Sequence, residues 1–231
     1  WFKNTVVIMD PCINPDGRDR YVNWVNQVVG KSPNANPIAR EHNEPWPGGR
    51  TNHYNFDLNR DWAWQTQIES QQRLAKYNEW LPQVHVDFHE QGYDEPYYFA
   101  PAAEPYHEVI TQWQRDFQVQ IGRNNAKYFD EKGWLYFTKE RFDLLYPSYG
   151  DTYPTYNGSI GMTYEQGGIG AGLGIALRDG DTLTLVDRAL HHFTTGMSTI
   201  EVSAKNAAKL VTEFKKYFDD ARNAAGLDYK T

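Results

Sequence analysis

Strands that alternate with long helices predict an α/β protein, a three-layer sandwich with a mostly parallel mixed central sheet flanked by helices. Three observations carry this. An apolar run with β-branched residues stands at 5–10, and further strand-like segments at 83–89 and 159–165. Stretches of helical spacing lie between them and after the last. The chain, 231 residues with 40% hydrophobic and 23% charged, is long enough to bury a large core within one domain.

In order along the chain, residues 5–10 read as a buried strand, ended by the turn-forming Pro11-Cys12-Ile13-Asn14-Pro15-Asp16-Gly17. A strand so close to Trp1, with no initiator Met or signal peptide ahead of it, suggests a piece of a longer protein. Tyr21, Trp24, Val25 and Val28 predict a helix over 18–29, closed by Gly30. Residues 31–50, rich in Pro, Asn and Gly, read as a long surface loop of the kind that often carries function. A helix is predicted over 61–80, with Trp64, Ile68, Leu74 and Tyr77 as candidate buried positions, broken by Pro82. The next strand ends at His89, and a helix within 105–132 ends at Gly133. Residues 140–158 are irregular, and a short strand over 159–165 leads into a glycine-rich loop. Residues 182–226 read as mostly helical, bent near Gly196, so that 182–231 forms a helical C-terminal part of one domain.

Composition excludes several classes of function. A net charge of −7 with no long basic run argues against a nucleic-acid partner, and no apolar run is long enough for a membrane helix. Cys12, the single cysteine, can form no internal disulfide. The 8 Trp, 16 Tyr and 11 Phe fit either an aromatic-rich core and loops, the favoured reading, or a ring-lined groove for peptide or sugar.

Ligands of open α/β sheets bind beyond the carboxyl ends of the strands, which directs attention to His89 and Glu165. Alternation places His85, Asp87 and His89 on one face, so Asp87 could orient a metal-binding His89 ring. Taken alone, His89 reads more simply as a hydrogen-bonded core histidine. Arg60, beside Asn59, presents a planar fork suited to a carboxylate; taken alone it reads as a structural ion pair. Glu165, flanked by glycines at a strand end, suits a general base, or a solvated charge at a sheet edge. Gly168, Gly170, Gly172 and Gly174 open no helix and read as a rim loop rather than a nucleotide site, and His191-His192 reads as structural.

Together, Asn14-Pro15-Asp16-Gly17, Asp57-Leu58-Asn59-Arg60, the strand ending in His89 and the strand ending in Glu165 resemble the zinc metallocarboxypeptidases of the carboxypeptidase A type, in order and spacing over residues 6–168. The resemblance implies a zinc-dependent exopeptidase with His89 as third zinc ligand and Glu165 as general base. It further implies that Asn59 and Arg60 hold the C-terminal carboxylate of a peptide substrate, and that Tyr146, with Tyr149 nearby, closes over it. A secreted or periplasmic setting belongs to the same implication.

Two departures accompany it. The family's first two zinc ligands come from a His-x-x-Glu motif ahead of the Asn-Pro-Asp-Gly turn, where this chain has neither His nor Glu. None of its seven histidines has a Glu three residues later. The first β–α units are therefore expected to be missing or supplied elsewhere. The family's carbonyl-polarising arginine also has no counterpart beside Trp24, which leaves Arg18 or Arg20. Two alternatives stand beside the carboxypeptidase reading: a non-catalytic module that binds peptide or glycan, and a related zinc amidase acting on a small amide or cell-wall peptide.

Overall fold

A computed structural model describes residues 1–223. Among these lie six α-helices and a mixed four-stranded sheet, a mixed α/β architecture. The elements are α1 (Pro15–Val28), α2 (Ile68–Trp80), β1 (Val84–Gly92), β2 (Tyr97–Tyr98), α3 (Gln112–Lys132), β3 (Tyr136–Phe137), α4 (Thr152–Tyr156), β4 (Ile160–Ile169), β5 (Gly174–Ala176), β6 (Thr182–Thr184), α5 (Leu185–Lys205) and α6 (Ala207–Arg222). The strand order is β1-β4-β2-β3, with β1 parallel to β4, β2 antiparallel to β4 and β3 parallel to β2. None of the described helices is long and apolar enough to cross a membrane.

Strand alternation divides the two faces of β1. Val84 and Val86 pack into the main core with Phe117, Ile121 and Phe129 of α3, Met162 and Tyr164 of β4, Val202 of α5 and Leu210 of α6. On the opposite face, the His85 ring meets Trp62 and Tyr77 edge-on, with centroids 5.3 and 5.7 Å apart. Helices thus cover both faces of β1. Much of the aromatic content is core: Tyr97, Phe99, Phe117, Phe129 and Tyr164 are buried.

The N-terminal expectation fails. Residues 5–10 form no strand, and Val6 and Met9 are 73% and 79% exposed. Strand character needs a neighbouring ladder, and β1, the end strand of the sheet, pairs only with β4. The second helix starts at Ile68 instead of residue 61. Asp61 Oδ1 and Oδ2 accept the Thr66 and Gln67 amides, both at 2.9 Å, and this turn takes the place of the first helical residues. Trp64 and Ile68 are consequently exposed, while Leu74 and Tyr77 are buried.

Elsewhere the boundaries shift. α1 begins at Pro15, where the Asn14 side chain caps the Gly17 amide, and ends at Val28. α3 starts at Gln112 behind a Thr111–Gln114 capping box and stops at Gly133 in the left-handed region (φ 68°). The glycine-rich stretch contains the β5–β6 hairpin, and residues 140–158 contain α4. The C-terminal helical part breaks at Asn206, not at Gly196, because the Asn206 side chain bonds the Val202 carbonyl and its backbone leaves helical geometry. Its continuation to Gly226 lies outside the described residues.

Candidate active site

Register in the β1–β4 ladder pairs His89 with Glu165 and Asp87 with Thr163. Parallel neighbours lie about 4.8 Å apart, and paired residues point to the same face. The two chain-distant residues therefore stand side by side.

Both protein partners of the His89 ring meet Nε2: Asp87 Oδ2 at 2.7 Å and Asn59 Nδ2 at 3.1 Å. The carboxylate fixes the ring proton on Nε2, which leaves the Nδ1 lone pair free to bind a metal. Asn59 is oriented by the Gly150 amide, which donates to its Oδ1 at 2.8 Å. With Nε2 protonated, the Asn59 amide cannot donate to it and remains a spare donor beside the ring. Burial works against a charged His89, yet the charge and hydrogen bond of Asp87 outweigh it and raise the ring's pKa. Burial likewise opposes a charged Asp87, and His89 foremost holds its carboxyl below the usual range.

Glu165 is 8% exposed. Burial pushes its pKa up to about 7, with His89 and Arg50 pulling down and Asp87 and Asp151 pushing up. A carboxyl poised near neutrality suits general acid–base work.

Leu58–Arg60 is a single 3₁₀ turn whose cap, Asp57, accepts the Asn59 amide through Oδ1 at 2.9 Å. Asp57 Oδ2 takes Arg50 through Nε and a terminal nitrogen, both at 3.0 Å, and Arg60 at 3.8 Å. Arg60 lies over the Tyr149 ring, 4.5 Å from its centroid, and stays half-exposed.

The fold thus brings His89, Glu165 and Asn59 together, with Arg60 next to Asn59. The Tyr146 hydroxyl accepts Trp64 Nε1 at 2.8 Å, and its ring packs 4.8 Å from that of Tyr149, the ring over which Arg60 lies. Neither arginine offered as carbonyl polariser faces the pair. Arg18 pairs with Asp19 in solvent, and Arg20 is spent on the Thr51 and Asn52 carbonyls. Arg50, which sequence reasoning missed, is the arginine whose charge acts on both His89 and Glu165. Its signal was faint: a guanidinium after Gly48-Gly49 in a long loop, within reach of Asp57. His191 and His192 are each hydrogen-bonded within the fold. The former bonds Gln166 at 2.7 Å and the latter Tyr97 at 2.8 Å.

A catalytic zinc takes three protein ligands. Among the described residues no group of three or more His, Cys, Asp or Glu side chains is arranged to hold a metal ion. His89 with Glu165 therefore does not make a zinc site without further ligands. Comparison with family models, curated proteins and solved structures finds no match to this chain.

Proposed function

We propose that the chain forms the larger part of a zinc metallocarboxypeptidase catalytic domain that hydrolyses the C-terminal peptide bond of peptides and needs ligands from a His-x-x-Glu segment outside these residues. The observation that carries the reading is the pairing of His89 and Glu165 across the β1–β4 ladder, with Asp87 leaving the His89 Nδ1 free. A purely structural histidine needs no such free nitrogen, and a binding module needs no carboxyl poised at about 7.

In this reading His89 would help hold a zinc ion, which when bound would supply Lewis-acid polarisation of the scissile carbonyl. Glu165 takes a proton from the attacking water and delivers it to the leaving amine. The spare Asn59 amide and the Arg60 fork hold the substrate carboxylate, which makes the enzyme an exopeptidase. Arg50, whose charge acts on His89 and Glu165, would stabilise the oxyanion that forms on the carbonyl. Tyr146 or Tyr149 covers the bound end of the peptide.

The test measures zinc content and release of the C-terminal residue from a peptide, with the His-x-x-Glu segment supplied. Zinc retention and turnover that appear only with the segment, and a Glu165→Gln variant that keeps zinc but loses turnover, are expected. Full activity in Glu165→Gln would remove the base assignment. Absence of zinc in the complemented protein would leave the non-catalytic peptide- or glycan-binding reading.

A further inference from the structure

Outside the candidate active site, one buried histidine makes two contacts that a neutral ring cannot make together. His42 closes the 3₁₀ turn Arg40–His42 in the long loop at 31–50. Its Nδ1 lies 2.7 Å from the Gly170 carbonyl oxygen and its Nε2 lies 2.7 Å from the Asn34 carbonyl oxygen. Carbonyl oxygens accept and never donate, so each contact needs a ring N–H. A neutral imidazole carries one such proton, and only the imidazolium carries two.

The two carbonyls belong to different parts of the fold. Asn34 lies early in the loop, and Glu41 Oε1 accepts its amide at 2.9 Å. Consecutive side chains of one turn therefore hold both backbone groups of Asn34. Gly170 follows β4 in the glycine-rich rim, in the left-handed region (φ 76°), and an added Cβ there would fall 2.9 Å from the His42 carbonyl oxygen. The Ala171 amide closes the rim turn on the Gly168 carbonyl at 2.9 Å. The ring thus bridges the loop that leads to Arg50 and the end of the strand that carries Glu165. A second tie is indifferent to the ring: the Ala176 amide of β5 donates to the Ala35 carbonyl at 2.8 Å.

Few ionisable groups surround it. On its own turn, Glu41 is buried and bonded to Asn34, and Arg40 is exposed. The rim at 166–174 contains none. From α5, Arg188 donates to the Gly172 carbonyl and pairs with Glu90 of β1. α1 packs against the turn and brings Tyr21, on which the charges of Arg188, Glu90 and Glu44 act. Histidine is the one side-chain type among these whose ordinary titration falls between about pH 5 and 8.

We propose that His42 is a pH-operated latch. Doubly protonated, it fastens the loop at Asn34 to the rim at Gly170. Loss of one proton turns a nitrogen lone pair onto a carbonyl oxygen, and one of the two holds becomes a repulsion. The Ala35–Ala176 bond remains, so the change is a loosening and not a release. The proposal rests on the two ring contacts and not on the catalytic reading.

Heteronuclear NMR of the whole chain, labelled at histidine, counts the protons on the ring directly. Both His42 nitrogens should carry one at about pH 5, and a single nitrogen should carry one at about pH 8. Amide exchange, divided by the intrinsic rate at each pH, should rise about tenfold at Asn34 and Ala171 between those values, with a smaller change at Ala176. His42→Gln, which offers one donor group and one acceptor and no titrating proton, should exchange alike at both values. A ring with one proton at the lower value, or with two at both, would overturn the latch. So would equal protection of Asn34 and Ala171 at the two values, or the same rise in His42→Gln. The readings on the unaltered chain decide the matter even where His42→Gln fails to fold.

Discussion

Asp87 Oδ2 lies 2.7 Å from His89 Nε2, two residues along the same face of β1. This one contact chooses the tautomer of the ring and leaves the lone pair on Nδ1. Asp87→Ala should therefore lower zinc affinity of the complemented protein about 10- to 100-fold without removing a ligand. Competition with a chelator of known affinity measures this, and unchanged affinity would mean that the ring is oriented by something else.

Glu165 links the site to stability. Its pKa, raised from 4.5 to about 7 by burial, means that the folded chain holds a proton that the unfolded chain has already released between those values. Stability contributed by the neutral carboxyl is therefore present below the unfolded value and is lost as pH rises to about 7. Glu165→Gln should abolish that slope. In mildly alkaline solution it should be the more stable protein, by on the order of 2 kcal/mol. Urea unfolding on either side of neutrality reads the difference, and parallel pH profiles for the two proteins would contradict it.

Arg50 lowers the pKa of Glu165 through its positive charge. Arg50→Ala should move the Glu165 titration upward, and Arg50→Lys should restore part of the difference. Infrared titration of the carboxyl band, with Glu165→Gln as the blank, provides the measurement. A titration insensitive to Arg50 would take this arginine out of the site.

Arg60 reaches solvent over Tyr149, where a substrate carboxylate can meet it. In the complemented enzyme, Arg60→Ala should raise KM for peptides with a free C-terminus about tenfold or more, with a smaller change for amidated analogues. An unchanged ratio between the two would remove the exopeptidase claim. In the same assay Tyr149→Phe should be compared with Tyr146→Phe, because Tyr149 is the ring that touches Arg60.

Gly150 approaches the site so closely that a Cβ there would fall 2.0 Å from Asp87 Oδ2 and 3.0 Å from Trp62 Nε1. Gly150→Ala should displace Asp87 from His89 and destabilise the chain by roughly 1–3 kcal/mol. Thermal unfolding with a histidine NMR titration follows both effects. A normal His89 signal in a stable variant would show that the loop yields instead.

The strands at His89 and Glu165 were legible because alternation and turn signals are local, and the rule that ligands bind beyond strand carboxyl ends pointed to both residues, but their direct pairing across one ladder was not legible. What neighbours a segment was not legible. Residues 5–10 have the composition of a buried strand, but nothing local reveals that the adjacent ladder is empty. The start of α2 was lost to Asp61, whose side chain competes with helical bonding at a position that pattern alone assigns to the helix. Arg50 was missed because its place is set by its ion pair with Asp57 across a loop, and its influence on His89 and Glu165 is one of charge and not of sequence pattern.

Asp57 closes both arginines into one unit, since a single carboxylate oxygen serves Arg50 and Arg60 while its twin fixes the Asn59 amide. Substitutions at these four positions are therefore expected to be strongly non-additive. A lineage that altered Asp57 first would lose most of what either arginine contributes, and later changes at Arg50 or Arg60 would then cost little. The order in which such mutations arrive would decide whether each is tolerated.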